Sequence, residues 1–220
     1  MNLVQWMSRG LLALTLLTGA AVATEKPAAR PTLVVLGDSL SAGYGIRVEE
    51  GWVALLTRRL ADQGYGYQVV NASVSGETTE GGLARLPRVL ATHHPAVLVL
   101  ELGANDGLRG LPVPGMRQNL AAIVRATRAA GARVLLVGTR IPTNYGPEYT
   151  RSFFASFGEV AKAEHVPLVP FLLERIALEE RNFQGDRLHP VAAVQGELLE
   201  TVWPFLRPLL TPPAAKAKAH

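Results

Sequence analysis

The sequence predicts an α/β fold whose parallel sheet is covered by helices on both faces, and three observations carry that prediction. Short apolar runs rich in Val and Leu alternate with stretches in which apolar residues recur at helical spacing. The runs are apolar at nearly every position rather than at every second one, the pattern of strands buried on both sides. The first four runs also stop abruptly in small or polar residues. Strands end this way when they deliver side chains to the carboxyl edge of a sheet, where ligands gather in open α/β folds.

The first strand is expected over Thr32 to Leu36, broken by Gly37-Asp38-Ser39. Gly37 allows a tight turn and places Ser39 at the strand tip, unless Asp38 and Ser39 merely cap the next helix. Trp52, Leu55, Leu56 and Leu60 mark a helix that Gly64 stops. Tyr67 to Asn71 reads as the second strand, and Leu83, Leu86 and Leu90 as a helix disturbed by Pro87. Val97 to Leu100 is the third strand, ending at Glu101-Leu102-Gly103-Ala104-Asn105-Asp106. Met116, Leu120, Ile123 and Val124 share one helical face, closed by Gly131 as a C-cap glycine. Val134 to Val137 is the fourth strand and ends at Gly138-Thr139-Arg140. Phe153, Phe154, Phe157 and Val160 form an aromatic helical stripe of the kind that packs a core. A short fifth strand is expected over Val166 to Phe171, and the last helix is expected to begin near Pro190.

The 220 residues suffice for a sizeable core, and no repeat or break divides them, so one domain is expected over 32–210. Residues 1–23 have the layout of a secretory signal peptide. Arg9 is their only charged side chain, Leu11 to Ala20 is apolar, and Ala21-Val22-Ala23 is a small-x-small cleavage site. That run is too short to cross about 30 Å of hydrocarbon. Cleavage after Ala23 would make the protein periplasmic or secreted. Residues 24–31 read as an Ala/Pro linker and 211–220 as a flexible Pro, Ala and Lys tail.

There is no cysteine, hence no disulfide and no thiolate metal site. The net charge of +4 is mild and its Arg and Lys residues are scattered, so no nucleic-acid footprint is present. His93 and His94 lack an Asp, Glu or Cys partner at ligand spacing, so no metal is expected. Gly43-Tyr44-Gly45 lacks the third glycine of a dinucleotide fingerprint, and no cofactor is expected.

The strand ends carry groups suited to acyl transfer. Ser39 is the candidate nucleophile, Gly76 can offer an unobstructed backbone N–H, and Asn105 can donate its side-chain amide. In Asp186-Arg187-Leu188-His189, a spacing of three in a tight turn sets a carboxylate beside an imidazole, fixing its tautomer and leaving one nitrogen as a base. A serine hydroxyl needs such a base near neutral pH, and a tetrahedral oxyanion needs donors already aimed at it. Asp106 is expected to order the loop behind Asn105. For Arg140 and Tyr145, lining the cleft and a purely structural role both stay open.

Gly37-Asp38-Ser39-Leu40-Ser41, Gly76, Gly103-Ala104-Asn105-Asp106 and Asp186-Arg187-Leu188-His189 resemble the four blocks of the SGNH (GDSL) hydrolases. Asn71 to Thr78, Gly82 to Pro87, Glu101 to Gly110 and Pro142 to Gly146 resemble that family's periplasmic thioesterase, lysophospholipase and arylesterase branch. The likeness runs from about Pro31 to Leu210. It implies a flavodoxin-like three-layer α/β/α sandwich with five parallel strands in the order 2-1-3-4-5. It also implies a Ser39, His189, Asp186 triad, with Ser39 N–H, Gly76 N–H and the Asn105 amide as oxyanion hole. A mobile loop is implied at Gly107 to Pro112, and substrate contact is expected from Ala104, Gly107, Leu108, Arg140, Ile141 and Tyr145. Ala104 stands where the branch usually has a second glycine, and its methyl group bears on acyl-chain preference.

The expected function is hydrolysis of acyl esters and thioesters through an acyl-enzyme, by a monomer that touches lipid surfaces at most transiently. A carbohydrate O-acetylesterase is the alternative within the enzyme class. A catalytically silent flavodoxin-like binding module is the alternative outside it, and a mere scaffold has no need of Ser39, Asn105, Asp186 and His189 together.

Overall fold

The computed structural model describes residues 30–212. The expected signal peptide, most of the linker and most of the tail therefore lie outside the described residues. Among those described, no helix is long and apolar enough to cross a membrane.

Five strands form one sheet: β1 (Thr32–Gly37), β2 (Gln68–Asn71), β3 (Pro95–Glu101), β4 (Arg133–Val137) and β5 (Leu168–Val169). All pairings are parallel and the order is β2-β1-β3-β4-β5. Alternate residues of each strand face opposite layers, because successive side chains of a strand point to opposite sides. Leu33, Val35, Val97, Val99, Leu135 and Val137 pack against α2 (Trp52–Asp62) and α7 (Gln195–Leu206). Val34, Leu36, Leu98, Leu100, Val134 and Leu136 pack against α3 (Thr79–His93), α5 (Val113–Ala129) and α6 (Pro147–Ala163). Both halves are fully apolar, which is why the strands read as continuous runs.

Three expectations change on contact with the fold. The fifth strand is two residues long, because Pro167 and Pro170 flank it and neither has an N–H for the ladder. The α3 helix runs unbroken through Pro87, whose ring sits on the exposed face. The last helix starts at Gln195 rather than near Pro190. Pro190 instead forms an antiparallel bridge with Phe183 and accepts a hydrogen bond from Gln184.

The order reversal between β1 and β3 is the topological switch point, and the carboxyl ends of those strands diverge there into opposite layers. Gly37 lies directly opposite Glu101 in the register. The far edge of the sheet is fixed by another close approach, where a Cβ on Gly138 would lie 2.4 Å from the Pro170 carbonyl oxygen. Backbone cannot swing aside as a side chain can. Gly138→Ala is therefore expected to lower the urea-unfolding free energy by about 1–3 kcal/mol. An unchanged midpoint would show that β4 and the 168–170 segment are not locked at this contact.

Candidate active site

The nucleophile candidate sits in the first turn of a helix. Asp38 is the N-cap of the short α1 (Ser39–Ala42), its Oδ1 accepting the Leu40 N–H at 3.0 Å. Ser39 is the first helical residue, so capping and presentation of the hydroxyl are one arrangement rather than rivals. Ser39 Oγ lies 2.8 Å from His189 Nε2, and His189 Nδ1 lies 2.6 Å from Asp186 Oδ2. The other Asp186 oxygen accepts the backbone N–H groups of Leu188 and His189 at 3.0 and 3.1 Å. His189's hydrogen bond and then Leu188's N–H lower the Asp186 pKa to about 2. Asp186 is thus a carboxylate near neutral pH, its partner Nδ1 carries the proton, and Nε2 is free to accept one from Ser39.

The turn that carries Asp186 and His189 has its own framework. Arg187 adopts φ +59°, which closes the three-residue spacing. Gln184 ties the turn to the rest of the site: its side-chain amide donates to the Tyr44 and Pro190 carbonyls, and its N–H donates to the His189 carbonyl. The Tyr44 ring packs 4.5 Å from the His189 ring. Gln184 carries no motif signal, and Tyr44 enters the sequence reading only within Gly43-Tyr44-Gly45, so neither is expected at the site.

Asn105 is not at the end of a strand. It lies in α4 (Ala104–Leu108), a single turn that follows β3 through Gly103 at φ +123°. Its amide donates to the Glu77 carbonyl at 2.9 Å and, more weakly, to Asp38 Oδ2 at 3.3 Å. The next residue, Asp106, is buried and clamps the start of α3, accepting from Thr79 N–H at 2.8 Å and Thr79 Oγ1 at 2.6 Å. Asp106 thereby orders this loop from behind. Gly76 has φ +80° and lines the same cleft as Ser39 and Asn105. Its carbonyl accepts from Arg109 at 2.7 Å.

The cleft encloses about 460 Å³. Ser39, Gly76, Asn105 and His189 line it, together with Ala104, Leu108, Arg140 and Ile141 of the expected substrate contacts. Gly107 and Tyr145 do not. Gly107 is buried behind the wall, where a Cβ would lie 2.7 Å from Ile141 and 2.6 Å from Phe153. Tyr145 holds the loop from outside, its hydroxyl donating to the Leu108 carbonyl at 2.7 Å. The apolar wall formed by Phe171, Leu173, Ala177 and Phe183 was not anticipated, because the segment after β5 has neither strand nor helix periodicity.

A family model described as the GDSL-like lipase/acylhydrolase family matches residues 35–195. The chain belongs to that family. Among its GDSL relatives is esterase TesA of Pseudomonas aeruginosa, 52% identical over 91% of this chain and 96% of the relative. Another is the thioesterase 1/protease 1/lysophospholipase L1 of Escherichia coli strain K12, 41% identical over 85% of this chain and 88% of that one. A crystal structure of TesA superposes with a TM-score of 0.79 at 54% identity, covering 81% of this chain and 99% of the other. Membership in the GDSL lipase/acylhydrolases makes this chain a hydrolase.

Beneath the site lies a buried carboxyl pair. Glu101 Oε2 accepts from Ser41 Oγ at 2.7 Å and from the Asp38 N–H at 3.3 Å. Burial, then the Asp38 charge, raise the Glu101 pKa well above its ordinary value, and burial raises Asp38 to about 6. A raised folded pKa contributes stability below the unfolded pKa and loses it as pH rises toward the folded one. Glu101→Gln keeps an oxygen acceptor and removes the titration. The stability of Glu101→Gln relative to the original is therefore expected to increase as pH rises from 4 to 8 in urea titrations. Parallel pH curves for the two proteins would show that Glu101 is not held protonated.

Proposed function

We propose that this protein is an exported serine hydrolase that cleaves carboxylic esters and thioesters of acyl chains through an acyl-enzyme on Ser39. The observation that carries the proposal is the hydrogen-bond chain from Asp186 through His189 to Ser39, ending in an apolar cleft. In this reading His189 Nε2 takes the Ser39 proton as the oxygen attacks the acyl carbon, and Asp186 stabilises the imidazolium. His189 then passes the proton to the departing alcohol or thiol. A water molecule, activated by the same nitrogen, releases the acid and regenerates Ser39.

The oxyanion is assigned to the N–H groups of Ser39 and Gly76 and to the Asn105 amide. Asn105 would exchange its long contact with Asp38 for the oxygen on which charge develops, while the Glu77 carbonyl holds its other hydrogen. The acyl chain is assigned to the wall of Phe171, Leu173, Ala177 and Phe183. That wall favours an acyl chain over the sugar ring of a carbohydrate O-acetylester, which calls for hydrogen-bonding partners. The names of the relatives, esterase and thioesterase 1/protease 1/lysophospholipase L1, support the same substrate classes. We assign the mature protein to the periplasm or the medium, as a monomer with transient lipid contact, on the leader read in residues 1–23.

Ser39→Ala is expected to remain folded and to lose nearly all esterase activity, and a fluorophosphonate probe is expected to label the original protein at Ser39. Full activity in the variant, or labelling elsewhere, would contradict the assignment. Asn105→Ala is expected to lower kcat by about 10² to 10³ with little change in KM, since the donor acts on charge formed after attack. A loss confined to KM, or a fall in melting temperature in step with activity, would make Asn105 a structural residue instead.

A further inference from the structure

Eight of the seventeen arginines among the described residues are neutralised. Arg47, Arg59, Arg85, Arg117, Arg125, Arg175, Arg181 and Arg187 all sit in ion pairs with glutamates. Arg140 and Arg151 are two of the nine that have no such partner among the described residues, and these two line one groove together. This groove, about 580 Å³, adjoins the cleft: Arg140 and Ile141 belong to the walls of both. No carboxylate lines it. Its remaining polar lining is Thr143 and Thr150.

Arg140 is also held in place. Its guanidinium carbon stacks 4.4 Å from the Phe154 ring centroid and 5.2 Å from that of Phe171. A guanidinium packed over aromatic rings keeps its N–H fork available to a planar or tetrahedral anion. Pinning the long side chain in advance lowers the entropy lost when a ligand binds. Two cations on an acid-free wall repel each other, and an anion between them relieves that repulsion.

We propose that Arg140 and Arg151 form an anion subsite for a phosphate carried on the alcohol or thiol side of the substrate. The apolar wall takes the acyl chain, so the cationic groove falls to the departing group. This proposal rests on the reading of Ser39 as the nucleophile. The phosphate can come from a phosphorylated thiol carrier or from a lysophospholipid headgroup, and two matched substrate pairs separate these sources.

The first pair is palmitoyl-CoA and the palmitoyl thioester of N-acetylcysteamine. The second is a 1-acyl-glycerol 3-phosphate and the 1-monoacylglycerol of the same chain. The readout is the ratio of kcat/KM for the phosphorylated substrate to that for its neutral match. The double variant Arg140→Gln, Arg151→Gln is expected to lower this ratio about tenfold for at least one pair, the scale of losing hydrogen bonds to a charged group. Arg140→Lys is expected to retain part of it. Added salt is expected to lower the ratio in the original protein and to have less effect in the double variant.

A fall confined to the thioester pair assigns the groove to a carrier, and a fall confined to the lipid pair assigns it to a headgroup. Ratios unchanged for both pairs in a double variant that melts normally would overturn the subsite while leaving the hydrolase reading intact. Failure of the original protein to hydrolyse any of the four substrates, together with no fluorophosphonate label on Ser39, would overturn both.

Discussion

Asp38 is fully buried, and the candidate site hangs from its carboxylate. One oxygen caps α1 through the Leu40 N–H and so sets where Ser39 stands. The other receives the Asn105 amide from the far side of the switch point. Its own N–H reaches back to Glu101, which faces Gly37 across the β1–β3 pairing. Gly37 permits that approach. A Cβ there would lie 2.8 Å from both Glu101 Oε2 and Ser41 Cβ. The parallel register of two strands is thus translated, through a single buried acid, into the relative positions of a hydroxyl and an amide.

The same device recurs on the other side. Asp38 and Ser39 are neighbours, as are Asn105 and Asp106, and in each pair the acid is buried while the other residue lines the cleft. Asp106 fastens α4 to the start of α3, which keeps Asn105 beside Glu77 and Gly76. The cost is visible in the raised pKa values of Asp38 and Glu101, since low-dielectric surroundings disfavour a charged carboxyl. The gain is rigidity: Asp38 holds the start of α1 and the Asn105 amide in a fixed relation. His189 approaches on the loop between β5 and α7, and Gln184 in the same loop bridges to the Tyr44 carbonyl just after α1.

Much of this was legible in the sequence, because the physics behind it is local. Buried parallel strands must be apolar on both faces, so the runs of β1, β3 and β4 could be read directly, and each ended where the site begins. Ser39, Gly76, Asn105, Asp186 and His189 announced themselves through motif blocks. What escaped depends on partners far away in the chain. The fifth strand was overextended because two prolines limit a ladder that only β4 reveals. Pro190 favoured a helix start locally, but pairing with Phe183 overrode it. Glu101 looked like an ordinary strand terminus, and nothing in its neighbours signals that it lies under Asp38. The apolar wall of the cleft comes from an irregular segment with no period to read.

The central claim is that Ser39 carries the acyl group between two half-reactions. The most direct test mixes the protein with a slowly deacylated nitrophenyl ester and follows released nitrophenol and intact protein mass together. The account predicts a burst stoichiometric with enzyme, a mass increase equal to the acyl group, and its location on Ser39 by peptide mapping. Turnover at full rate with no acylated species under rapid acid quench, or an adduct on another residue, would contradict it.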